Sequence, residues 1–118
     1  MSRIQKPADD AKLLQGTLDL LVLKALSRNG VMHGFGIARF LQQVSKEVLK
    51  VEEGSLYPAL YRLENEDLIR SEWGHTAAGR RAKYYRLSPR GRKHLEGEES
   101  RWLRMVEAIG LVLNPEEG

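Results

Sequence analysis

Leu68-Ile69-Arg70-Ser71-Glu72-Trp73-Gly74-His75-Thr76-Ala77-Ala78-Gly79-Arg80-Arg81-Ala82-Lys83-Tyr84-Tyr85-Arg86-Leu87 breaks the helical spacing that governs the chain up to Asp67. The period changes there from about 3.6 to about 2, the spacing of a half-buried strand. Leu68–Trp73 is predicted as one strand and Lys83–Leu87 as another. The segment between them, Gly74–Arg81, carries glycines near both ends and adjacent arginines, so it reads as a hairpin loop with a basic tip.

Upstream of this hairpin the pattern is helical. Leu18, Leu21, Val22, Ala25 and Leu26 recur at the spacing of one helix face, with Thr17 as the expected N-cap, Asp19 in the first turn and Asn29-Gly30 as the stop. A second helix is expected from about His33 to Ser45, its inner face formed by Ile37, Phe40, Leu41 and Val44, with His33 as its cap. Ser55 is the expected cap of a third helix ending near Asp67, in which Pro58 falls early enough to be tolerated. Leu56, Leu60 and Leu63 form its apolar line, and Tyr57, Tyr61 and Arg62 fall away from it. Downstream, Ser88-Pro89 is a strong helix start, with serine as N-cap and proline at the first helical position, and the helix is expected to reach about Leu113. Residues 1–11, polar and containing Pro7, are read as a flexible N-terminal arm.

The order is therefore helix, helix, helix, strand, strand, long helix. That order predicts a mostly α (α+β) fold: a winged helix-turn-helix with a two-stranded β-hairpin wing over residues 12–87, followed by a C-terminal dimerisation helix and tail over 88–118. The 118 residues suffice for one domain and argue against two. No stretch approaches the roughly 20 apolar residues needed to span a bilayer, and no apolar leader segment is visible, so no membrane partner is expected. With no cysteine, disulfides and thiolate metal sites are excluded, in keeping with a cytoplasmic protein.

Nineteen Lys+Arg against sixteen Asp+Glu give a net charge of only +3, but the charge is unevenly spread. Residues 68–94 hold eight basic side chains and one acidic, or +7, while 51–67 and 95–118 are each −4. A basic cluster beside acidic surface is the footprint expected of a nucleic-acid-binding element. A helix of suitable diameter enters the major groove, and a hairpin reaches the backbone or minor groove. On this reading double-stranded DNA is the partner. The recognition-helix contacts are Ser55, Tyr57, Tyr61 and Arg62, and His75, Arg80, Arg81 and Lys83 supply the wing. Glu64, Glu66 and Asp67 would repel phosphate, which confines binding to the N-terminal half of the third helix. A winged-helix module that binds protein or a ligand without direct DNA readout is the alternative, and the +7 segment argues against it.

The terminal helix, about 39 Å long at 1.5 Å per residue, outruns a globule of this size, whose radius of gyration is about 13 Å. Its stripe of Leu95, Trp102, Met105, Val106, Ile109, Val112 and Leu113 follows heptad spacing, broken at Glu98, and is expected to be covered by the same helix of a second chain, with folding back on the chain's own three-helix core as the alternative. No catalytic or metal site is expected, and no cofactor. His33, His75 and His94 lack metal-pair spacing, no serine sits in a Gly-x-Ser-x-Gly elbow, and Gly34-x-Gly36 lacks the rest of a nucleotide motif.

The sequence resembles the PadR family of bacterial transcriptional regulators, from about Leu14 to Leu113. The resemblance rests on Gly16-Thr17-Leu18-Asp19-Leu20-Leu21-Val22-Leu23, on His33-Gly34-Phe35-Gly36-Ile37, and most specifically on Gly54-Ser55-Leu56-Tyr57-Pro58-Ala59-Leu60-Tyr61-Arg62-Leu63-Glu64. Lys83-Tyr84-Tyr85-Arg86-Leu87-Ser88-Pro89-Arg90-Gly91 completes it, and the single terminal helix is similar to that of the short subgroup. The resemblance implies a homodimeric DNA-binding protein, usually a repressor, with paired terminal helices. It also implies that a planar aromatic effector would stack on Trp102 at the dimer interface, with Glu98 one turn away facing a cationic group of that ligand or an ion-pair partner.

Overall fold

The computed structural model describes the backbone of residues 7–114 and the side chains of residues 17–114. Its elements are α1 (Pro7–Asn29), β1 (Met32–His33), α2 (Gly34–Val44), α3 (Glu53–Asn65), β2 (Ile69–His75), β3 (Arg81–Leu87) and α4 (Pro89–Leu113). The order is that of a winged helix, with one addition. Met32–His33 pairs antiparallel with Tyr84–Tyr85, so the expected two-stranded wing is the outer part of a three-stranded sheet ordered β1-β3-β2. A two-residue strand is too short to leave a period in the sequence; the free edge of β3 creates it.

Helix α1 begins at Pro7 and runs through Thr17, which is therefore not its N-cap. The proline read as part of an arm occupies the first helical position, where its missing N–H has no intrahelical acceptor to lose. Of the expected arm, residues 1–6 lie outside the described residues and 7–11 are the first turns of α1. Leu18, Val22, Leu23, Ala25 and Leu26 then enter the core.

Helix α2 starts as expected, the His33 Nδ1 accepting from the Gly36 amide at 2.9 Å. Ile37 and Leu41 are buried and Phe40 packs partly against them, but Val44 is exposed, because Ser45 ends the helix and the chain turns away through left-handed Lys46 and Glu47. Helix α3 begins two residues before Ser55. Its N-cap is Glu52, which makes no side-chain cap bond, and the Glu52 carbonyl accepts from the Ser55 and Leu56 amides at 3.0 and 2.9 Å. Glu53 in the first turn favours this start through the helix dipole. Pro58 is thus inside the helix, and the Gly54 carbonyl loses its intrahelical donor at an exposed position where water can serve it.

The core lies where Leu18, Leu26, Ile37, Leu56, Leu60 and Ile69 converge, closed on one side by Tyr85 and on another by Leu95 of α4. The start of α4 is held by local chemistry. Ser88 Oγ accepts from the Gly91 amide at 2.9 Å and donates to the Asp67 carbonyl at 2.6 Å, while the Ser88 amide donates to the Leu68 carbonyl at 3.1 Å. Gly91 packs directly on the Leu68 backbone: a Cβ there would fall 1.9 Å from the Leu68 oxygen.

Leu95, expected in a dimer interface, is instead 4% exposed and belongs to the protomer's own core. One turn on, Lys24 of α1 pairs with Glu99 at 3.1 Å. Every residue from Ser100 to Asn114 is exposed. The helix therefore leaves the core partway along its length. This accounts for a radius of gyration of 16.1 Å and a longest dimension of 53 Å, against about 13 Å radius for a compact chain of this size.

Candidate nucleic-acid interface

The wing is a regular hairpin. β2 and β3 pair from Ile69 with Leu87 to His75 with Arg81. The tip, residues 76–80, is closed by the Thr76 amide donating to Arg80 and the Gly79 amide donating to Thr76, both at 2.8 Å, with Gly79 at φ 86°. A left-handed residue at this place is what glycine supplies without strain. His75 ends one strand and Arg81 starts the other, so both flank the tip rather than lying within a loop.

Alternation then sorts the wing's side chains. Ser71, Trp73 and His75 share a face with their cross-strand partners Tyr85, Lys83 and Arg81. At the base of this face Tyr85 is buried against the core, and its hydroxyl pKa is raised, chiefly by burial and then by the charge of Glu64 and the neighbouring Tyr57. Next, Glu64 of α3 accepts from Ser71 Oγ at 2.6 Å and pairs with Lys83 Nζ at 3.4 Å. Toward the tip the Arg81 guanidinium lies over the Trp73 ring, 4.1 Å from its centroid. α3 and the wing thus form one continuous surface.

On α3, Tyr61 is 68% exposed and Tyr57 is partly exposed, its ring lying against Gly34, where a Cβ would fall 2.7 Å from the hydroxyl. Ser55 is half-buried. Arg62 turns the other way: its guanidinium donates to Asp19 of α1 at 2.8 Å, tying the third helix to the first. Of the four wing residues expected to contact DNA, Arg80 and Arg81 take part in none of the ion pairs among the described residues, His75 is exposed, and Lys83 is occupied by Glu64. The other hairpin cations are also paired, Arg70 with Asp67 at 3.5 Å and Arg86 with Glu72 at 3.6 Å. Within the +7 segment the hairpin tip carries two carboxylate-free arginines and the hairpin base three paired cations, while Arg90, Arg92 and Lys93 at the start of α4 are exposed and take part in none of the ion pairs among the described residues.

Three features of the fold are missing from the sequence-based expectations. Trp73 is the stacking platform for Arg81; centring the hairpin on residues 76–80 puts the two on one face, a signal that period-2 reading can supply. Glu64 as a brace rather than a repulsive charge leaves no local signal. Phe35 and Arg39 form a third: Phe35 is exposed at the start of α2, with the Arg39 guanidinium 5.8 Å from its ring centroid. Along α4, Trp102, Met105, Val106, Ile109, Val112 and Leu113 are exposed as one stripe continuing the line of Gly91 and Leu95, joined by Leu103 and Leu111 on other faces. Glu98 pairs with Arg101 and lies 3.9 Å from His94 Nε2.

The model of the transcriptional regulator PadR-like family matches residues 22–97. The chain belongs to the PadR-like family. Members of that family are transcriptional regulators rather than enzymes. Solved structures agree in fold. A transcriptional regulator from Clostridium thermocellum is 27% identical with a TM-score of 0.75, covering 84% of this chain and 95% of that one. A PadR family transcriptional regulator from Eggerthella lenta is 29% identical with a TM-score of 0.73, covering 91% and 90%. A transcriptional regulator of Mycobacterium tuberculosis is 39% identical over 64 residues; the match spans 54% of this chain and 56% of that protein. No described helix is long and apolar enough to cross a membrane.

Proposed function

We propose that this PadR-like regulator is a homodimeric, sequence-specific DNA-binding repressor. The observation that carries the proposal is the continuous exposed surface formed by α3 and the wing, with Tyr57 and Tyr61 on the helix and the carboxylate-free pair Arg80 and Arg81 at the hairpin tip. Guanidinium groups with no carboxylate partner neutralise phosphate without first breaking an ion pair, and tyrosine hydroxyls donate to phosphate oxygens. Ser55, Tyr57 and Tyr61 make the helix contacts and His75, Arg80 and Arg81 the wing contacts. Arg62 and Lys83, engaged by Asp19 and Glu64, act within the protomer.

The exposed stripe from Trp102 to Leu113 supports a second copy as the homodimer partner, because a contiguous apolar helix face beyond the core is removed from water by pairing with itself. Two recognition helices would then enter successive major grooves roughly 34–36 Å apart and block transcription sterically. A planar aromatic effector stacking on Trp102, with Glu98 flanking it, would alter the crossing of the two terminal helices and so the spacing of the heads.

Selection of bound fragments from a random-sequence duplex library, with light scattering on the same preparation, tests the reading. Enrichment of one sequence by a species of twice the chain mass is expected. Absence of any enriched sequence overturns the DNA assignment and favours a protein-binding adaptor; a stable monomer overturns the dimer. For the effector, quenching of tryptophan fluorescence by planar aromatics is expected in the unmutated protein and lost in a Trp102→Phe variant that retains Trp73.

A further inference from the structure

We infer that Glu64 is a positioning residue that locks the wing to the recognition helix. Its two oxygens reach both strands of the hairpin from the last turn of α3, one accepting from Ser71 Oγ of β2 at 2.6 Å and the other pairing with Lys83 Nζ of β3 at 3.4 Å. One carboxylate therefore spans the junction that sets the angle between helix and hairpin. On the opposite flank Arg62 is held by Asp19 of α1 at 2.8 Å, so α3 is tied to the wing on one side and to α1 on the other. This inference rests on the DNA-binding reading and deepens it. A helix and a wing that grip one duplex must hold a fixed relation, since each misalignment of preorganised groups is repaid from affinity.

Glu64 and Lys83 are each about one-third exposed at the side chain, so the pair is only partly screened by water. Nearby, Tyr85 closes the junction from below, packed into the core and neutral. The arrangement inverts two simple electrostatic expectations. Glu64, a negative charge beside a phosphate-binding surface, supports binding instead of opposing it. Lys83, a wing cation, contributes through Glu64 and not through phosphate.

The test uses the full chain and a 30-base-pair duplex, a length on the order of three helical turns, selected by the unmutated protein from a random library. Dissociation constants are measured across a salt series for Glu64→Ala, Lys83→Ala and the exchanged pair E64K/K83E, alongside amide hydrogen exchange of residues 69–75. Glu64→Ala is expected to weaken binding by a factor of about five, the scale of coupling between contacting residues, although it removes a negative charge. The salt slope should stay unchanged and exchange in β2 should speed up. Lys83→Ala should weaken binding with the same slope, and E64K/K83E, which remakes the ion pair without the Ser71 bond, should restore affinity and exchange protection in part.

Equal or tighter binding by Glu64→Ala, or a slope flattened by about 1.8 in Lys83→Ala, the signature of one missing phosphate interaction per protomer of a dimer, overturns the inference. Failure of the exchanged pair to rescue overturns it too. Should Glu64→Ala not fold, Glu64→Gln, which keeps the acceptor for Ser71, replaces it with the same expected direction. If the unmutated protein selects no duplex, the DNA reading fails. The exchange data then decide the brace alone, with unchanged β2 protection in Glu64→Ala ruling it out.

Discussion

Replacing Gly91 by alanine tests how α4 is joined to the winged head. The added Cβ falls 1.9 Å from the Leu68 carbonyl oxygen and 2.8 Å from its carbon, both backbone atoms that cannot swing aside. Relief requires α4 to back away from Leu68 by more than 1 Å, judged against ordinary carbon contacts of about 3.5 Å. The Ser88 amide bond to Leu68, 3.1 Å long, and the Ser88 Oγ bond to Asp67, 2.6 Å, stand in the path of that movement. Overpacking costs roughly 1–3 kcal/mol, and each broken hydrogen bond adds about 1 kcal/mol. Alanine returns about 1 kcal/mol of helix propensity, leaving a net loss of roughly 3 kcal/mol. At about 4 °C per kcal/mol for a chain of this size, the melting temperature should fall by roughly 12 °C. Thermal unfolding followed by circular dichroism at fixed protein concentration reads this directly. Gly97→Ala and Gly110→Ala are internal controls on the same helix: a Cβ at 97 meets nothing nearer than Arg101 at 3.9 Å and one at 110 meets nothing within 4 Å. Both should stabilise, by up to about 1 kcal/mol. A Gly91→Ala protein as stable as the controls would refute the requirement for glycine by close approach.

Other perturbations separate the remaining interactions. Leu95→Ala should destabilise the fold by about 2–5 kcal/mol, the range for truncating a buried leucine. Ile109→Glu, on the exposed part of the same helix face, should leave the fold intact and convert a dimer to monomers in light scattering; a dimer that survives it relocates the interface. Because the Tyr85 hydroxyl pKa is raised in the folded state, the unfolded chain loses its proton first. Stability should hold up to the ordinary tyrosine value of 10.0, then fall as pH rises toward the folded value. In Tyr85→Phe that decline should shrink, as read by denaturant titration, and an unchanged pH profile would remove Tyr85 as its source.

What could be read in the sequence was set by how local the chemistry is. Ser88-Pro89 and His33 were legible as helix starts because capping involves neighbouring amides only, and both caps are present. Ser55 failed as a cap for a related reason: the acidic Glu52-Glu53 pair offers an equally local start, with the cap three residues earlier, and it prevails. Strand β1 was invisible because two residues make no pattern and their pairing partner lies some fifty residues away. The α4 stripe was legible as an apolar face, but a stripe does not say which chain covers it. Leu95 is covered by its own core and Trp102 is 40% exposed, the division falling where Lys24 holds Glu99. Arg62 and Lys83, expected at the groove, are paired with carboxylates 43 and 19 positions away, Asp19 and Glu64, whose approach only the tertiary fold creates. Arg80 and Arg81 stay clear of carboxylates because the hairpin tip carries no acid, and Arg81 stacks on Trp73.

The proposal that the wing tip grips phosphate is tested most directly by the salt dependence of DNA binding with and without its two arginines. Each phosphate interaction removed should lower the slope of log affinity against log salt by about 0.9, so R80A/R81A in a dimer, with four arginines replaced, should flatten it by roughly 3–4. The same slope in both proteins, or binding by the unmutated protein that does not respond to salt, would contradict the account.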